Sequence, residues 1–133
     1  MLPIVIDEPS SPVASRLWDE ADRVVSSRLI YAEARAALAM AHRLNRINEE
    51  DLRTAVGEFE ALHDQLDVIE VTEAIVRGAG ELAEQFGLRG YDAVHLASAR
   101  TVSDPELVLA AGDQGLLDAA RASEIATANL AKS

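Results

Sequence analysis

Three acidic residues stand at positions where carboxylates could do chemistry: Glu33, Asp92 and Asp113. On a helix that turns by about 100° per residue, Glu33 falls on the apolar side, between Met40 and Leu44. A carboxylate there is costly unless it is paired, protonated or bound to a cation. Asp92 falls in the first turn of a helix that is apolar on nearly all sides. Asp113 follows a hydrophobic strand, at the carboxyl end where α/β sheets place their sites.

Each of these acids also has an ordinary structural interpretation. Asp92 and Asp113 both suit the start of a helix, where negative charge is favoured, and Glu33 could be satisfied by one arginine. Three inward-pointing acids together favour a cation, because clustered carboxylates repel one another without one. Mg²⁺ and Mn²⁺ bind through few carboxylates plus waters, and such a centre can activate water for displacement at phosphorus. We therefore expect Glu33, Asp92 and Asp113 to hold Mg²⁺ or Mn²⁺.

The amino-acid composition excludes several classes of reaction and binding function. The 133 residues carry a net charge of −11, with no cysteine and with Lys132 as the single lysine. Thiol chemistry, cysteine-based metal sites and lysine-dependent phosphate chemistry are therefore excluded or nearly so. Non-specific DNA binding is disfavoured because it depends on basic residues that neutralise phosphates. No apolar run is long enough to span a membrane and no signal peptide is recognisable, so we expect a cytoplasmic protein.

Strands and helices must alternate to position these acids. The predicted strands are 23–26, 67–71, 106–111 and 125–128, and the predicted helices start near residues 10, 29, 48, 72, 91 and 114. This alternation is typical of a three-layer α/β domain with a mostly parallel central sheet flanked by helices. We expect one domain over residues 1–133. The chain opens on what reads as the loop after a strand, so the usual first strand is expected to be absent.

Four segments in chain order carry a family resemblance. They are Asp7–Ser11, Ser26–Glu33, Leu88–Ala97 and Leu107–Asp113. Their order and spacing resemble the PIN-domain ribonucleases, in particular the VapC-type toxins of bacterial toxin–antitoxin pairs. The resemblance covers essentially the whole chain, and the stretch around Asp92 is its most specific part.

The resemblance implies a metal-dependent endoribonuclease that is usually a homodimer and is neutralised by a VapB-type antitoxin. Carried over by position, Glu33, Asp92 and Asp113 would be the acids of the catalytic pocket. The antitoxin tail would cover this pocket, and the helix pair 29–66 would form a projecting clip for the antitoxin to bind. The alternative function is a catalytically impaired PIN-like module that binds antitoxin or dimerises without cleaving RNA.

Two departures from the family pattern favour that alternative. The family's first acid, in an Asp-x-Ser/Thr pattern that ends the first strand, would fall upstream of Met1. Ala111 stands where a Ser or Thr commonly precedes the fourth acid. Two further expectations concern neighbouring residues: His95 is predicted to be a core residue with a local hydrogen bond, and a basic rim for RNA could be formed by Arg28, Arg35, Arg89 and Arg100.

Overall fold

The computed structural model describes residues 3–6, 19, 21, 23–102 and 104–131. Its strands are β1 (Pro3–Ile6), β2 (Arg23–Ser27), β3 (Asp67–Ile69), β4 (Val108–Ala111) and β5 (Ala126–Asn129). Its helices are α1 (Ile30–Arg43), α2 (Glu49–His63), α3 (Glu73–Phe86), α4 (Gly90–Arg100) and α5 (Gln114–Ala122). The alternating α/β architecture is confirmed. The helix predicted from Ser10 lies almost wholly outside the described residues.

All five strands form one parallel sheet in the order β3-β2-β1-β4-β5. Because the strands are parallel, their carboxyl ends share one edge of the sheet. Ile6, Ser27 and Ala111 end the three central strands at that edge. This is the edge where parallel sheets collect functional groups, since the following loops converge there.

The prediction that the first strand is absent is wrong, and so is the expectation that the family's first acid falls upstream of Met1, because Asp7 directly follows the strand in the sequence. Pro3–Ile6 forms the central strand, with Val5 in register with Val25 of β2 on one side and with Leu109 of β4 on the other. Proline is tolerated at the first residue of a strand, where its missing N–H costs least. A strand of four residues that begins at a proline carries too little local signal to be predicted. Pairing along both edges supplies the backbone hydrogen bonds that the sequence does not show.

The core lies on both faces of the sheet because neighbouring residues of a strand point in opposite directions. Val25, Leu109 and Ala111 pack against the buried residues of α3, α4 and α5. Val24 and Ala110 face the other side. There they pack with Ile30, Leu66 and Leu130. α4 is buried along most of its length, as its nearly continuous apolar sequence predicted.

Helices α1 and α2 form the expected hairpin, but the burial of α1 differs from the prediction. Its polar side faces α2: the Tyr31 hydroxyl donates to Glu60 Oε1 at 2.5 Å, and the Tyr31 ring lies against Phe59 and His63. Ile30 is the one fully buried residue of α1. The apolar stripe that was expected to face the core is instead exposed. We call this the α1 stripe; it consists of Ala36, Ala37, Met40 and Leu44.

Helix ends follow the local sequence closely. Asn48 and Asp51 cap α2 reciprocally, each side chain accepting from the other's backbone N–H. Thr72 caps α3 through a hydrogen bond from the Ile75 backbone. Gly87 ends α3 with a φ of 67°, in the left-handed region that favours glycine. These caps confirm the predicted starts of α2 and α3.

Candidate active site

Asp113 stands at the carboxyl edge of the sheet, two residues beyond the end of β4. Its Oδ2 accepts a hydrogen bond of 2.9 Å from the Leu116 backbone N–H and thereby caps α5. The predicted cap is confirmed. The other carboxylate oxygen, Oδ1, is not engaged by this cap and is the one that faces a neighbouring cation.

That cation is the guanidinium of Arg89, which also contacts Asp92. Arg89 Nε donates to Asp92 Oδ2 at 3.0 Å, and Arg89 Nη2 lies 3.0 Å from the same oxygen. The same Nη2 lies 3.8 Å from Asp113 Oδ1. The Asp92 side chain is 5% exposed, whereas Arg89 is 74% exposed. The structure thus brings two of the three predicted acids to a single positive group.

The starts of α4 and α5 meet closely enough to make this convergence possible. A Cβ placed on Gly115, in the first turn of α5, would lie 3.9 Å from Leu88, which precedes α4. The same Cβ would lie 3.2 Å from Asp113 Oδ2. Because glycine has no Cβ, the Asp113 carboxylate is not crowded in its present position.

Glu33 reaches the same helix as Asp92 through His95. Glu33 is 14% exposed in the first turn of α1, and its Oε1 lies 3.0 Å from Nε2 of the buried His95. With Glu33 ionised, its oxygen accepts this hydrogen bond and Nε2 donates it. His95 follows Asp92 by three residues, which is one helical turn. The prediction of a core histidine is confirmed, but its hydrogen bond joins residues 62 positions apart rather than local ones.

The donor set fits a divalent cation in part. Asp92 and Asp113 present oxygen ligands toward one positive group, and Mg²⁺ is commonly held by one or two carboxylates plus waters and phosphate oxygens. Within the described residues, no three His, Cys, Asp or Glu side chains are grouped closely enough to hold a metal ion. The described residues thus bring Asp92 and Asp113 to one guanidinium, and Glu33 reaches the same helix through His95.

The predicted basic rim does not form from its four arginines. Arg28 is bound to Glu70, and Arg35 lies 3.5 Å from Glu60. Arg89 contacts the two aspartates of the site, whereas Arg100 ends α4 at the opposite end of that helix. The arginines thus lie against acids or far from the site.

The contacts of Arg89 and His95 with the predicted acids were not foreseen from the sequence. The signal was present in their spacing: Arg89, Asp92 and His95 stand three residues apart, so they share one face of α4. A charged or polar face on an otherwise buried helix is a strong indication of a site. Sequence spacing alone does not show which side chains from other elements meet that face.

A parallel β3-β2-β1-β4-β5 sheet with acids at its carboxyl edge defines a class of α/β domain that includes the PIN domains. A model of the PIN domain matches residues 2–122, and the chain belongs to this family. The chain is 44% identical over 119 residues to Ribonuclease VapC45 and to Ribonuclease VapC49, both of Mycobacterium tuberculosis. Each match covers 90% of this chain and 83% of the relative.

Solved structures share the fold at lower sequence identity. PAE2754 of Pyrobaculum aerophilum superposes with a TM-score of 0.70 at 21% identity, covering 89% of this chain and 84% of its own. FitAcB of Neisseria gonorrhoeae gives a TM-score of 0.68 at 19% identity, covering 99% and 100%. These likenesses support the fold. In the part of the chain that the structure describes, no helix has the length and apolar character to cross a membrane.

Proposed function

We propose that this chain is a ribonuclease toxin of a toxin–antitoxin pair and that it cleaves RNA with the help of Mg²⁺ or Mn²⁺. The observation that carries the proposal is that Asp92 and Asp113 converge on the Arg89 guanidinium at the carboxyl edge of the sheet. The 44% identity to two proteins named ribonucleases supports the reaction class. The family resemblance supports an antitoxin as the partner of this chain.

Each acidic side chain has a proposed role that follows from its position. Asp92 and Asp113 would hold the cation through their carboxylate oxygens, and Glu33 would add its negative charge from α1 in the orientation that His95 sets. When bound, a divalent cation supplies Lewis-acid stabilisation of charge that develops at phosphorus. The helices α4 and α5 both begin at the site, and helix N-termini favour an anionic phosphate. These helix ends offset part of the negative charge that the acids and the whole chain present to the substrate.

The test is to measure RNA cleavage and Mn²⁺ binding on the same protein samples. In the unsubstituted chain, Mn²⁺ should raise the melting temperature, because a ligand at 100 times its Kd stabilises the fold by about 2.7 kcal/mol. Asp92→Asn should abolish this shift. It should also lower the cleavage rate strongly. Loss of a residue that only supports a metal ligand typically costs about 10- to 100-fold, and loss of a ligand itself should cost more. Cleavage of total RNA is followed on denaturing gels with Mg²⁺, Mn²⁺ or EDTA.

Asp118→Asn is the matched control, because Asp118 is an exposed aspartate of α5 that contacts Gln114 and Arg121 away from the site. It should retain both the Mn²⁺ shift and the cleavage. Cleavage that persists in EDTA would contradict the metal requirement. A chain that binds an antitoxin but cleaves no RNA under any condition would favour the alternative function, a PIN-like binding module.

The antitoxin should bind along the α1 stripe and enter the acidic pocket. Met40 and Leu44 are 53% and 54% exposed, on the same helix that carries Glu33. An exposed apolar stripe of this kind marks a protein interface. Next to it, a carboxylate pocket favours Arg or Lys from the partner. The homodimer implied by the family resemblance stays a prediction.

A further inference from the structure

The Arg89 guanidinium lies against both aspartates, where it competes for the carboxylate oxygens that would hold a metal ion. Two of its nitrogens lie 3.0 Å from Asp92 Oδ2, and Nη2 also approaches Asp113 Oδ1 at 3.8 Å. A cation held through the same oxygens would meet this guanidinium. The two positive groups cannot both lie against Asp92 at bonding distance without strong repulsion.

The local field does not by itself favour a guanidinium at this place. Arg89 is the N-cap residue of α4, and its backbone leaves the first turn without a side-chain cap hydrogen bond. A helix N-terminus carries partial positive charge, so a cation there is disfavoured. The carboxylates of Asp92 and Asp113 offset this unfavourable field, and a cation bound to the same carboxylates competes with Arg89 for them.

Arg89 and Asp92 differ in how freely their side chains can move. Arg89 is 74% exposed, so its side chain can leave without opening the core. Asp92 is 5% exposed on a buried helix, and its charge stays in place. A buried carboxylate needs a partner of opposite charge in either state.

We propose that Arg89 is a resident counter-cation of the Asp92–Asp113 pair and that a divalent cation binds by displacing it. Arg89 then stabilises the acidic pair before metal is bound and lowers the apparent metal affinity of the site. This inference rests on the metal site of the proposed function.

The test is Mn²⁺ binding by isothermal titration calorimetry, in the absence of RNA, for the unsubstituted chain and for Arg89→Gln. Removing the competing cation should tighten Mn²⁺ binding about two- to fivefold, the scale of one partly exposed ion pair. Arg89→Lys keeps the charge but loses the two-nitrogen contact, so its Kd should fall between the two. Circular dichroism checks that each variant is folded.

Arg121→Gln is the matched control for net charge. It removes an arginine that lies 3.8 Å from Asp118 on α5, and it should leave the Mn²⁺ affinity within about twofold, because exposed charges beyond a Debye length are screened. A second measurement follows the Arg89 guanidinium by NMR, its resonance being assigned by its loss in Arg89→Gln. Titration with Mg²⁺ should shift that resonance and speed its proton exchange.

The outcomes separate this inference from the proposed function. Tighter binding by Arg89→Gln, with an unchanged control, supports the exchange. Equal or weaker binding by Arg89→Gln, while the unsubstituted chain binds Mn²⁺, overturns the exchange and leaves the proposed metal site standing. A chain that binds no Mn²⁺ with or without Arg89 overturns both.

Discussion

Individual arginines in this acidic protein lie against carboxylates of other segments. Arg28 donates to Glu70 from Nε at 3.0 Å and from Nη2, and Arg89 contacts Asp92 and Asp113. With a net charge of −11, the described arginines at the sheet edge are largely neutralised by neighbours. In the proposed function, attraction of RNA would therefore depend on helix N-termini, on a bound cation and on any arginine that such a cation releases.

The Arg28–Glu70 pair predicts a pH dependence at the scale of one residue. The hydrogen bond from Arg28 lowers the pKa of Glu70 below its ordinary value in the folded chain. The pair therefore contributes stability at pH values above the unfolded pKa of the glutamate, and that contribution is lost as the pH falls through the lower folded pKa. Thermal melts from pH 7 to pH 3 should show a small stability deficit of Glu70→Gln at neutral pH that disappears in acid.

Glu84→Gln serves as the control, since it removes an exposed glutamate of α3. It should show no comparable pH-dependent deficit. The Glu70 effect should also shrink in 1 M salt, because both partners are exposed and the Debye length there is about 3 Å. A deficit for Glu70→Gln that grows in acid would contradict the assigned direction.

At the scale of elements, the site depends on how closely two helices begin. Asp113 caps α5 with one oxygen and faces Arg89 with the other. Gly115 lies in the same first turn, where an added Cβ would make a tight contact with Asp113 Oδ2. The α5 start thus sets the direction of a carboxylate as well as the direction of the helix.

Gly115→Ala should therefore weaken metal binding while leaving the fold intact. The new Cβ would lie 3.2 Å from Asp113 Oδ2, so the carboxylate must shift by a few tenths of an ångström. We expect Mn²⁺ affinity to fall several-fold. The stability change should be small, because alanine favours a helix over glycine by about 1 kcal/mol and offsets part of the strain.

Gly80→Ala is the matched comparison. Gly80 lies in α3 with nothing within 4 Å of an added Cβ. Alanine there should raise the melting temperature and leave Mn²⁺ binding unchanged in calorimetry. Unchanged binding in both variants would show that Asp113 does not need its present direction to hold the cation.

At the scale of the whole molecule, the chain is acidic and exposes the α1 stripe. A partner that complements both features would have an apolar surface and a basic surface. The α1 stripe lies on the helix that carries Glu33. A partner helix on the stripe would bring its tail toward the acidic pocket. Opposite charges would speed association and fix its direction.

Met40→Glu should weaken the complex with a candidate antitoxin encoded beside this chain by at least about tenfold, since burying an unpaired charge at an interface costs more than 1.4 kcal/mol. Glu33→Gln should also weaken it, and binding should fall with salt. Calorimetry or surface plasmon resonance measures both effects.

Val76→Glu is the control for a lost apolar surface residue, because Val76 is exposed on α3 rather than on the α1 stripe. It should bind the antitoxin normally. Equal weakening by Met40→Glu and Val76→Glu would place the interface elsewhere, and full binding by Glu33→Gln would show that the tail does not use the pocket.

The sequence by itself determined the features that depend on neighbours in the chain. The α2 and α3 starts follow from Asn48, Asp51 and Thr72, and the end of α3 follows from Gly87. The cap at Asp113 follows in the same way. Each of these needs only side-chain and backbone groups a few residues apart, so local chemistry is sufficient to predict it.

Only the tertiary structure decided the features that join distant segments. Pro3–Ile6 becomes the central strand because β2 and β4 pair with it on both sides. Glu33 meets His95 across 62 residues, and the Tyr31 side of α1 turns to α2 and leaves the α1 stripe exposed. Arg89 stands between Asp92 and Asp113 because α4 and α5 start together. Residue periodicity shows that a helix has two faces, but packing against the other elements selects which face is buried.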